Sequence, residues 1–444
     1  MPNLLPCSRS HALQTVLLSL IAACAFATLQ AQSTNGVIRG QVRDSSGAAI
    51  SGASLTLRDT TKGLENTARS DASGTFRFLV PGGDYELTAN ALNFSAKKEV
   101  GIRLSLVQEV SVDFELSVAD VRETIEVVAE APRIETSSSE LAGLVTRERL
   151  AALPLNGRDF GQLALLQPGV AANTNGANSP FGGRWATFVV NGQLDQSTLF
   201  LVDGAELNDL ASGRNPSGSS GLLLGLDSVQ EFQVLLGNYK AEFGKNSGGV
   251  IHVATRTGTN TLHGSAFEYL RNSALDTPGY FDGDKVPPFK RNQFGGSAGG
   301  PVLRDKLFFF GNIEELRERL AVTGINNVLS AAAKSGAIFP VAPAIKPYLD
   351  LLPLPNGIIR SDGTGTRITS AATRSTEHYF VTKGDYNISS SDTLSGSYTF
   401  DDGSFGGPSP RDGQVLSEVL SDNRNQYVTV VQTHIFSPAV LRSE

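Results

Sequence analysis

Short runs in which apolar and polar residues alternate recur along most of the chain, and turn signals separate them. The first series lies in residues 36–117, where the runs at 36–43 and 54–58 are divided by turn sequences such as DSSG at 44–47. Alternation with a period of two residues is typical of half-buried β-strands. These residues therefore predict a small antiparallel β-sandwich.

Residues 118–259 mix helix and strand signals. Arg147–Leu153 predicts a short helix with Thr146 as its N-cap, and Asp159 is expected to cap a second helix. The same region also contains two turn signals and two strands of the buried type. They are Asn191-Gly192, Asp203-Gly204, Thr198–Val202 and Val250–Thr255.

Longer alternating runs occupy residues 260–444. In the clearest of them Leu394, Tyr398 and Phe400 share one face, and hydroxyl residues share the other. An apolar-out, polar-in pattern is typical of a transmembrane β-strand, but a strand of a soluble sandwich has the same alternation. The long stretch 320–376, rich in Pro, Ala and Gly, predicts a partly mobile extracellular loop that could contact a ligand.

The N-terminus has the pattern of an export signal. An apolar run at 12–27 and a cleavage-type sequence ending at Ala31 predict a signal peptide over residues 1–31. Cys24 also fits a lipobox, which would make it a lipidated N-terminus, and this alternative stays open. The other cysteine is Cys7, so cleavage after Ala31 excludes disulfides and a catalytic cysteine from the mature chain.

Charge and side-chain chemistry narrow the function classes. The net charge is −7 with no basic block, which argues against nucleic acid as a partner. The five histidines fall in no tight metal-ligand pattern, and the acidic residues are scattered. His252 and His263 flank a predicted turn and are interpreted as ordinary strand residues. We therefore predict no catalytic residues, no cofactor and no metal, and we do not expect an enzyme.

Three sets of segments resemble known families. GQVRDSSGAAISGASLTL, SDASGTFRF and PGGDYELTA resemble the carboxypeptidase regulatory-like domain, an accessory β-sandwich whose name implies no peptidase activity. LPLNGRDFGQLALLQPGV, FLVDGAELND and DSVQEFQVLLGNYKAEFGKNSGGVIHVATRTGTN resemble the plug domain of TonB-dependent outer-membrane receptors. RNQFGGSAGGPVLRDKLFFFGNIEELRER and YLDLLPLPNG resemble the Oar-like branch of those receptors, which adds a large barrel.

The resemblance implies a mainly β chain with a β-sandwich at 36–117, an α+β plug at 118–259 and the start of a transmembrane antiparallel β-barrel at 260–444. It also implies a receptor or transporter of the bacterial outer membrane, in contact with lipid, with TonB and with an unidentified extracellular ligand. Barrels that enclose a plug have about 22 strands. Because residues 260–444 suffice for only a handful, we expect this chain to be the N-terminal part of a longer receptor.

The segment 291–312 contains two glycine pairs and three phenylalanines. Gly295 and Gly300 have the outer spacing of a phosphate-binding loop, but Pro301 stands where that loop needs its lysine. The segment instead predicts a hairpin with strands at 292–300 and 307–313. The glycines are expected to let another backbone approach the wall closely, with the plug as the candidate, and the phenylalanines to form an aromatic girdle at the membrane interface.

One segment is the candidate TonB box, by the same resemblance. It comprises Thr124, Ile125, Glu126, Val127 and Val128, which have strand character and are flanked by acids. An extended segment can add an edge strand to a partner's sheet, here that of TonB. A linker, or the first strand of the next domain, is the alternative. For the whole chain, the rival hypotheses are an exported β-sandwich adhesion protein, which could bind carbohydrate, and a truncated receptor without function.

Overall fold

A computed structural model gives the fold of most of the chain. It describes residues 35–118, 125–128, 141–153, 155–172, 188–208, 225–239, 243–244, 246–280, 282, 284, 286–389, 391–408, 418–437 and 440–443. The predicted signal peptide lies outside the described residues. The described part is mainly β and contains a sandwich, a mixed α+β region and a large antiparallel sheet, so the predicted fold class is confirmed. No described helix is long and apolar enough to cross a bilayer.

Nine strands belong to the N-terminal sandwich. One sheet has the order β4-β1-β7, with β8 also paired to β1, and the other has the order β3-β2-β5-β6-β9. The prediction of a purely antiparallel sandwich is wrong in this respect, because β7 and β8 run parallel to β1, and β9 runs parallel to β6. The strands are β1 (Gly36–Asp44), β2 (Ser54–Asp59), β3 (Glu65–Arg69), β4 (Thr75–Val80), β5 (Gly83–Asn90), β6 (Lys97–Leu104), β7 (Glu109–Ser111), β8 (Phe114–Leu116) and β9 (Ile125–Val128).

The α+β region, called the plug below, is built on a five-stranded sheet of order β10-β15-β16-β13-β14. Asp159 Oδ1 accepts a hydrogen bond from the Gly161 backbone at 2.9 Å, so its predicted capping role is confirmed. Thr146 precedes the first helix, but its side chain caps no backbone N–H. The elements are β10 (Leu141–Thr146), α1 (Arg147–Ala152), α2 (Gly161–Ala164), β11 (Val170–Ala172), β12 (Phe188–Val190), β13 (Leu199–Val202), β14 (Ala205–Glu206), β15 (Val229–Gly237) and β16 (Val250–Thr255).

A loop of the sandwich inserts its tip into the plug. Leu106 and Val107 are buried in one apolar cluster with plug residues of β13, β15 and β16. The Leu106 backbone N–H donates to Glu231 Oε1 at 2.6 Å. Val107 has a φ of 55°, which a β-branched residue adopts only at a cost of about 1–3 kcal/mol. The burial of both side chains offsets this strain and fixes the sandwich against the plug.

The C-terminal region is a seven-stranded antiparallel sheet, called the wall below, whose strands pair in sequence order from β17 to β23. The strands are β17 (His263–Asn272), β18 (Phe289–Leu303), β19 (Leu307–Leu329), β20 (Thr364–Asn387), β21 (Asp392–Pro408), β22 (Glu418–Ser437) and β23 (Val440–Ser443). The predicted loop 320–376 is too long, because β19 and β20 stay paired up to Leu329 and Thr364. Their ends are rich in Ile, Val and Thr, which favour strands. The remaining connection contains α3 (Ala331–Ser335) and α4 (Lys346–Leu351).

The two faces of the wall differ in polarity. The inner face contacts the plug and buries polar residues such as Asn312, Glu314 and Glu318. The outer face presents Ile313, Val428 and Val430, which are 60–73% exposed. Leu394 lies on the outer face and Thr399 is buried on the inner one, as the apolar-out, polar-in pattern predicts.

The hairpin predicted in 291–312 is confirmed, since β18 pairs with β19 around a turn with Leu303 opposite Leu307. The girdle prediction is wrong for two of the three phenylalanines. Phe308 and Phe310 are buried on the inner face, and only Phe309 faces outward, with 38% of its surface exposed. The physical reason is the strand period of two, which sends neighbouring side chains to opposite faces.

Another backbone does approach the glycines of this hairpin closely, but at Gly295 it is that of a neighbouring wall strand rather than that of the plug. A Cβ atom on Gly295 would lie 2.3 Å from the carbonyl oxygen of Ile313, in the neighbouring wall strand. The close approach between plug and wall occurs at other glycines. A Cβ on Gly225 of the plug would lie 2.8 Å from Glu314, and one on Gly258 would lie 2.3 Å from the carbonyl oxygen of Phe309. Gly258 thus requires the absence of a side chain because a Cβ there would meet backbone, whereas a Cβ on Gly225 would displace the end of the Glu314 side chain.

Candidate functional site

A buried charge cluster joins the plug to the wall, and we call it the Arg158 cluster. Arg158 Nη2 lies 3.1 Å from Asp227 Oδ2 in the plug, and Arg158 Nε lies 3.4 Å from Glu314 Oε1 in the wall. The guanidinium is stacked 3.7 Å from the ring centroid of Phe267 in β17. Arginine suits this place because its planar cation can pair with carboxylates at its edge and stack on an aromatic face.

The backbone turn at Asn156–Arg158 directs the Arg158 side chain toward the wall. The segment Asn156–Arg158 forms one turn, in which Gly157 has a φ of 73° and Arg158 a φ of 56°. The left-handed conformation costs a non-glycine residue about 1–2 kcal/mol, so other contacts must hold it. Gln293 of β18 supplies one, since its Nε2 donates to the Gly157 carbonyl oxygen at 3.1 Å and to Glu314 Oε1 at 2.5 Å. The wall therefore recognises both the backbone and the cation of this turn.

A second ion pair, the Asp203–Lys383 pair, lies elsewhere on the same interface. Asp203 follows β13 in a turn whose two central residues, Asp203 and Gly204, have φ values of 49° and 84°, as the Asp-Gly signal predicts. Lys383 Nζ of the wall lies 3.0 Å from Asp203 Oδ2 and 2.9 Å from Thr255 Oγ1. Thr255 also donates to the Asp203 carboxylate from its backbone N–H, at 2.9 Å, and from its hydroxyl.

This environment keeps Asp203 ionised. Burial acts to raise the pKa of its carboxyl, but the Lys383 ammonium and the Thr255 hydrogen bonds outweigh burial, and the pKa lies below its usual value. Both partners are almost fully buried, with side-chain exposures of 9% and 13%. A buried ion pair of this kind contributes little net stability but makes the loss of either partner costly.

A cleft of about 590 Å³ lies beside the Arg158 cluster, between the plug and the first two wall strands. Its lining includes aromatic rings and several guanidinium groups. Two of these cations have partners, because Arg158 contacts Asp227 and Glu314, and Arg291 contacts Glu318 and Asn156. The cleft therefore offers no unpaired cation from these two residues to an anionic ligand.

The two histidines that the sequence places near one turn lie in different surroundings. His252 is fully buried in the plug sheet, its ring 6.3 Å from that of Phe243. His263 begins the wall, and its Nδ1 lies 3.0 Å from the Thr261 carbonyl oxygen. Within the part of the chain that the structure describes, no group of three or more His, Cys, Asp or Glu residues could hold a metal ion.

We expect His252 to make the plug sensitive to acid. Burial lowers the pKa of its imidazole from 6.5 to about 4, so the folded plug holds it neutral. Between pH 6.5 and about pH 4, His252 binds a proton in the unfolded state but not in the folded state. The free energy of unfolding therefore falls over this range, by up to about 3 kcal/mol. Hydrogen exchange of the plug strands at pH 7 and pH 4.5 measures this loss. The variant His252→Leu should remove it, and an unchanged loss in that variant would contradict the assignment.

Three family models match the chain in succession. Residues 37–117 match the carboxypeptidase regulatory-like domain, residues 132–251 the TonB-dependent receptor plug domain, and residues 254–443 an outer membrane beta barrel domain. The matched regions coincide with the sandwich, the plug and the wall. The chain belongs to the TonB-dependent outer-membrane receptors. Its domains place it in the bacterial outer membrane, as predicted.

Two curated relatives of this receptor chain are transporters or receptors by name. It is 31% identical over 308 residues to the TonB-dependent transporter Oar of Myxococcus xanthus, covering 63% of this chain and 27% of the relative. It is 27% identical over 199 residues to a protein of Acinetobacter baumannii named "Probable TonB-dependent siderophore receptor PirA", covering 43% of this chain and 24% of the relative. The matched part of this receptor thus spans about a quarter of the length of either relative.

Solved structures of the same class also resemble this receptor. The outer membrane transporter YddB from Escherichia coli matches with a TM-score of 0.45 and 13% identity, over 66% of this chain and 37% of that one. The ferric enterobactin receptor PfeA from Pseudomonas aeruginosa, a G324V mutant, matches with a TM-score of 0.41 and 17% identity, over 66% and 38%. The family assignment rests on the three matched domain models.

The candidate TonB box of this receptor lies partly within the described residues. Thr124 lies outside them, and Ile125–Val128 form β9. The backbone of β9 pairs in parallel with β6 from Lys97 to Val100, so its neighbour is the preceding sandwich rather than the plug. The strand is the last in its sheet, and its other edge carries no strand among the described residues.

Sequence reasoning missed the residues that join plug and wall in this receptor. Arg158, Glu314 and Lys383 received no role, although Arg158 and Glu314 lie in segments quoted for their resemblance and Lys383 lies in the region of long alternating runs. One signal was available for Glu314 and Lys383. Each is a charged residue at an inward position of a membrane strand, where a charge without a buried partner is costly.

Proposed function

We propose that the protein is a TonB-energised receptor that admits an extracellular ligand past its plug, and that it is not an enzyme. Two of its relatives are named as transporters or receptors. The observation that carries the proposal is the character of the plug–wall interface, where polar and charged contacts at Arg158, Asp203 and Ser228 recur. Such contacts can exchange for water when the plug moves, whereas a continuous apolar core resists separation.

We further propose domain boundaries at 36–117, 118–259 and 260–444, after a signal peptide over 1–31. In this arrangement the TonB segment, Thr124–Val128, lies near the start of the 118–259 region. The next described strand is β10, which lies at the edge of the plug sheet and pairs only with β15 there. Once β9 has separated from β6, a pull on the segment would therefore act first on an edge strand of the plug sheet.

The chain then leads from β10 to the Arg158 cluster. Helix α1 follows β10 at once, and the Asn156–Arg158 turn comes four residues after the helix ends. Asp227 lies just before β15, the partner of β10. Displacement of β10 thus acts on both plug members of the cluster, and loss of the contact between Arg158 and Glu314 would release the plug from the wall at this point.

Binding of the periplasmic domain of TonB tests the role of the TonB segment. Strand addition uses backbone N–H groups, so the double variant Glu126→Pro/Val127→Pro should reduce binding at least about tenfold, since proline removes donors from the ladder. The measurement is a titration of purified TonB domain against the purified protein. The control Glu126→Thr/Val127→Ile keeps the donors and the strand propensity, and it should bind as the unchanged protein does.

Three outcomes would count against the proposal. If the proline variant binds TonB as well as the unchanged protein, the segment is not the TonB contact. If the control loses binding too, side chains rather than a backbone ladder are recognised. No binding by the unchanged protein would argue against TonB as the energy source.

A further inference from the structure

A second cleft, of about 620 Å³, lies where the sandwich, the plug and the wall meet, and we call it the junction cleft. The sandwich contributes the turn 59–62, the plug contributes Thr255 and Arg256, and the wall contributes His263 and Lys383. Small-molecule sites usually have volumes of about 300–1,000 Å³. A small molecule in the junction cleft could therefore contact all three domains at once.

The chain that leads from the plug to the wall forms one side of the junction cleft. Asn260 in this connection donates its backbone N–H to the Thr61 carbonyl oxygen of the sandwich at 3.0 Å. Its side-chain Nδ2 donates to Asp305 Oδ1 at 2.7 Å, in the short turn between β18 and β19. Short turns of outer-membrane barrels face the periplasm. The junction cleft therefore lies on the periplasmic side of the wall.

A buried guanidinium without a carboxylate partner lines the junction cleft. Arg256 is 3% exposed, and among the described residues its Nη1 donates only to neutral oxygens, the Asp227 carbonyl at 3.2 Å and the Ser297 hydroxyl at 3.4 Å. Its guanidinium also lies 5.0 Å from the ring centroid of Phe310. The Asp227 carboxylate is paired with Arg158. Because a buried cation without a counter-charge is costly, an anion beside Arg256 would be stabilised.

Two more cations line the junction cleft, and no described carboxylate forms an ion pair with either of them. Arg147, the first residue of α1, is exposed and lies near enough to Arg256 for the two charges to repel. Burial, followed by this repulsion, lowers the pKa of the Arg256 guanidinium from 12.5 to about 10, so Arg256 stays charged at neutral pH. The other cation is Lys62 of the sandwich, whose Nζ lies 5.9 Å from the ring centroid of Phe308.

The carboxylates of the junction cleft do not balance these three cations. Those among the described residues are Asp59, Asp84, Glu148, Asp203 and Glu231. The Asp203–Lys383 pair accounts for one of them, and Glu148 lies 2.8 Å from Arg103. Backbone N–H groups at 2.6–2.9 Å bind Glu231 and Asp59, and Asp84 is exposed to solvent. An anion from outside the chain would supply the missing negative charge.

We propose that the junction cleft binds a small solute that carries two or more carboxylate or phosphate groups. Guanidinium groups bind both kinds of oxyanion through parallel hydrogen bonds, and lysine adds a point charge. Two anionic groups would match cations that come from two domains, Lys62 from the sandwich and the two arginines from the plug. Thr257 also lines the cleft, and its hydroxyl can donate a hydrogen bond.

Such a solute would hold the sandwich on the plug. A ligand that contacts both domains stabilises their docked arrangement by mass action, so its concentration in the periplasm would set how firmly the sandwich is seated. The site requires neither TonB nor transport. A failure of TonB binding would therefore leave this proposal intact, and a failure of anion binding would leave the proposed receptor function intact.

Calorimetric titration of the purified protein in detergent micelles with citrate and, separately, with pyrophosphate tests the proposal. At least one of the two anions should bind. The double variant Lys62→Gln/Arg147→Gln should bind it about a hundredfold more weakly, because each lost charge-assisted contact weakens binding about tenfold. The control Lys97→Gln/Arg149→Gln removes a lysine and an arginine of similar exposure from the same two domains, outside the cleft. It should bind as the unchanged protein does.

Hydrogen exchange gives a second readout of the same site. The bound anion should slow exchange at residues 60–63 of the sandwich and at residues 256–261, and the double variant should lose this protection. Absence of binding by both anions, or equal binding by the double variant, would refute the site. An equal loss in the control would reduce the effect to net charge, and protection confined to one domain would contradict a site shared between domains.

Discussion

Replacing Arg158 with alanine is expected to detach the plug locally from the wall. The substitution leaves Glu314 buried without its cation, and loss of one partner from a buried ion pair costs about 3–5 kcal/mol. It also removes the stacking on Phe267, at 3.7 Å. Hydrogen exchange of the purified protein should show faster exchange at residues 155–165 and in β15, with the wall strands unchanged.

Two further variants sharpen this test. Arg158→Lys keeps the charge but loses the planar stacking and the forked contact to two carboxylates, so it should fall between alanine and arginine. Arg149→Ala removes an exposed arginine from the adjacent helix α1 and should have no effect. If Arg158→Ala exchanges as slowly as the unchanged protein, the Arg158 cluster does not hold the plug.

The second large effect is expected at Lys383. The variant Lys383→Met leaves the buried Asp203 carboxylate without a cation, at a cost of about 3–5 kcal/mol. The double variant Asp203→Asn/Lys383→Met removes both charges and should recover most of the loss, because a neutral pair needs no compensation. The measurement is the urea concentration at which β13 and β16 become exposed to hydrogen exchange.

Acid provides an independent check of this pair. Because the pKa of Asp203 is lowered in the folded state, its contribution to the free energy of unfolding is present above the unfolded value of 3.8 and is lost as the pH falls below it.

The control for the Lys383 variants is Lys306→Met, which changes an exposed lysine at the short turn of the same wall. A double variant that is no more stable than Lys383→Met alone would contradict the ion-pair account.

Local signals predicted the elements well. The Asp203-Gly204 turn, the buried strand that precedes it and the hairpin between β18 and β19 all lie where short-range chemistry places them. Turn residues and strand alternation act over a few positions, so a single sequence reveals them. The family resemblance then supplied the order of the domains.

The contacts between domains could not be predicted in the same way. Lys383 is 180 residues from Asp203, and Gln293 is 136 residues from the Gly157 carbonyl that it contacts. Nothing in the local sequence of either partner encodes the other. The error at Phe308 and Phe310 is different in kind, since the period of two would have placed both on the inner face, with Phe309 alone outside.

The parallel pairing of β9 with β6 has a mechanical consequence. Four residue pairs, from Lys97 with Ile125 to Val100 with Val128, join the two strands. A force directed along β9 loads these pairs together in shear, whereas a force directed away from the sheet edge opens them one after another. The sandwich, anchored in the plug by Leu106 and Val107, would serve as the fixed end. The direction of the pull would therefore set the force at which β9 separates from β6. A force along β9 that is too weak to break all four pairs together would leave the two strands joined.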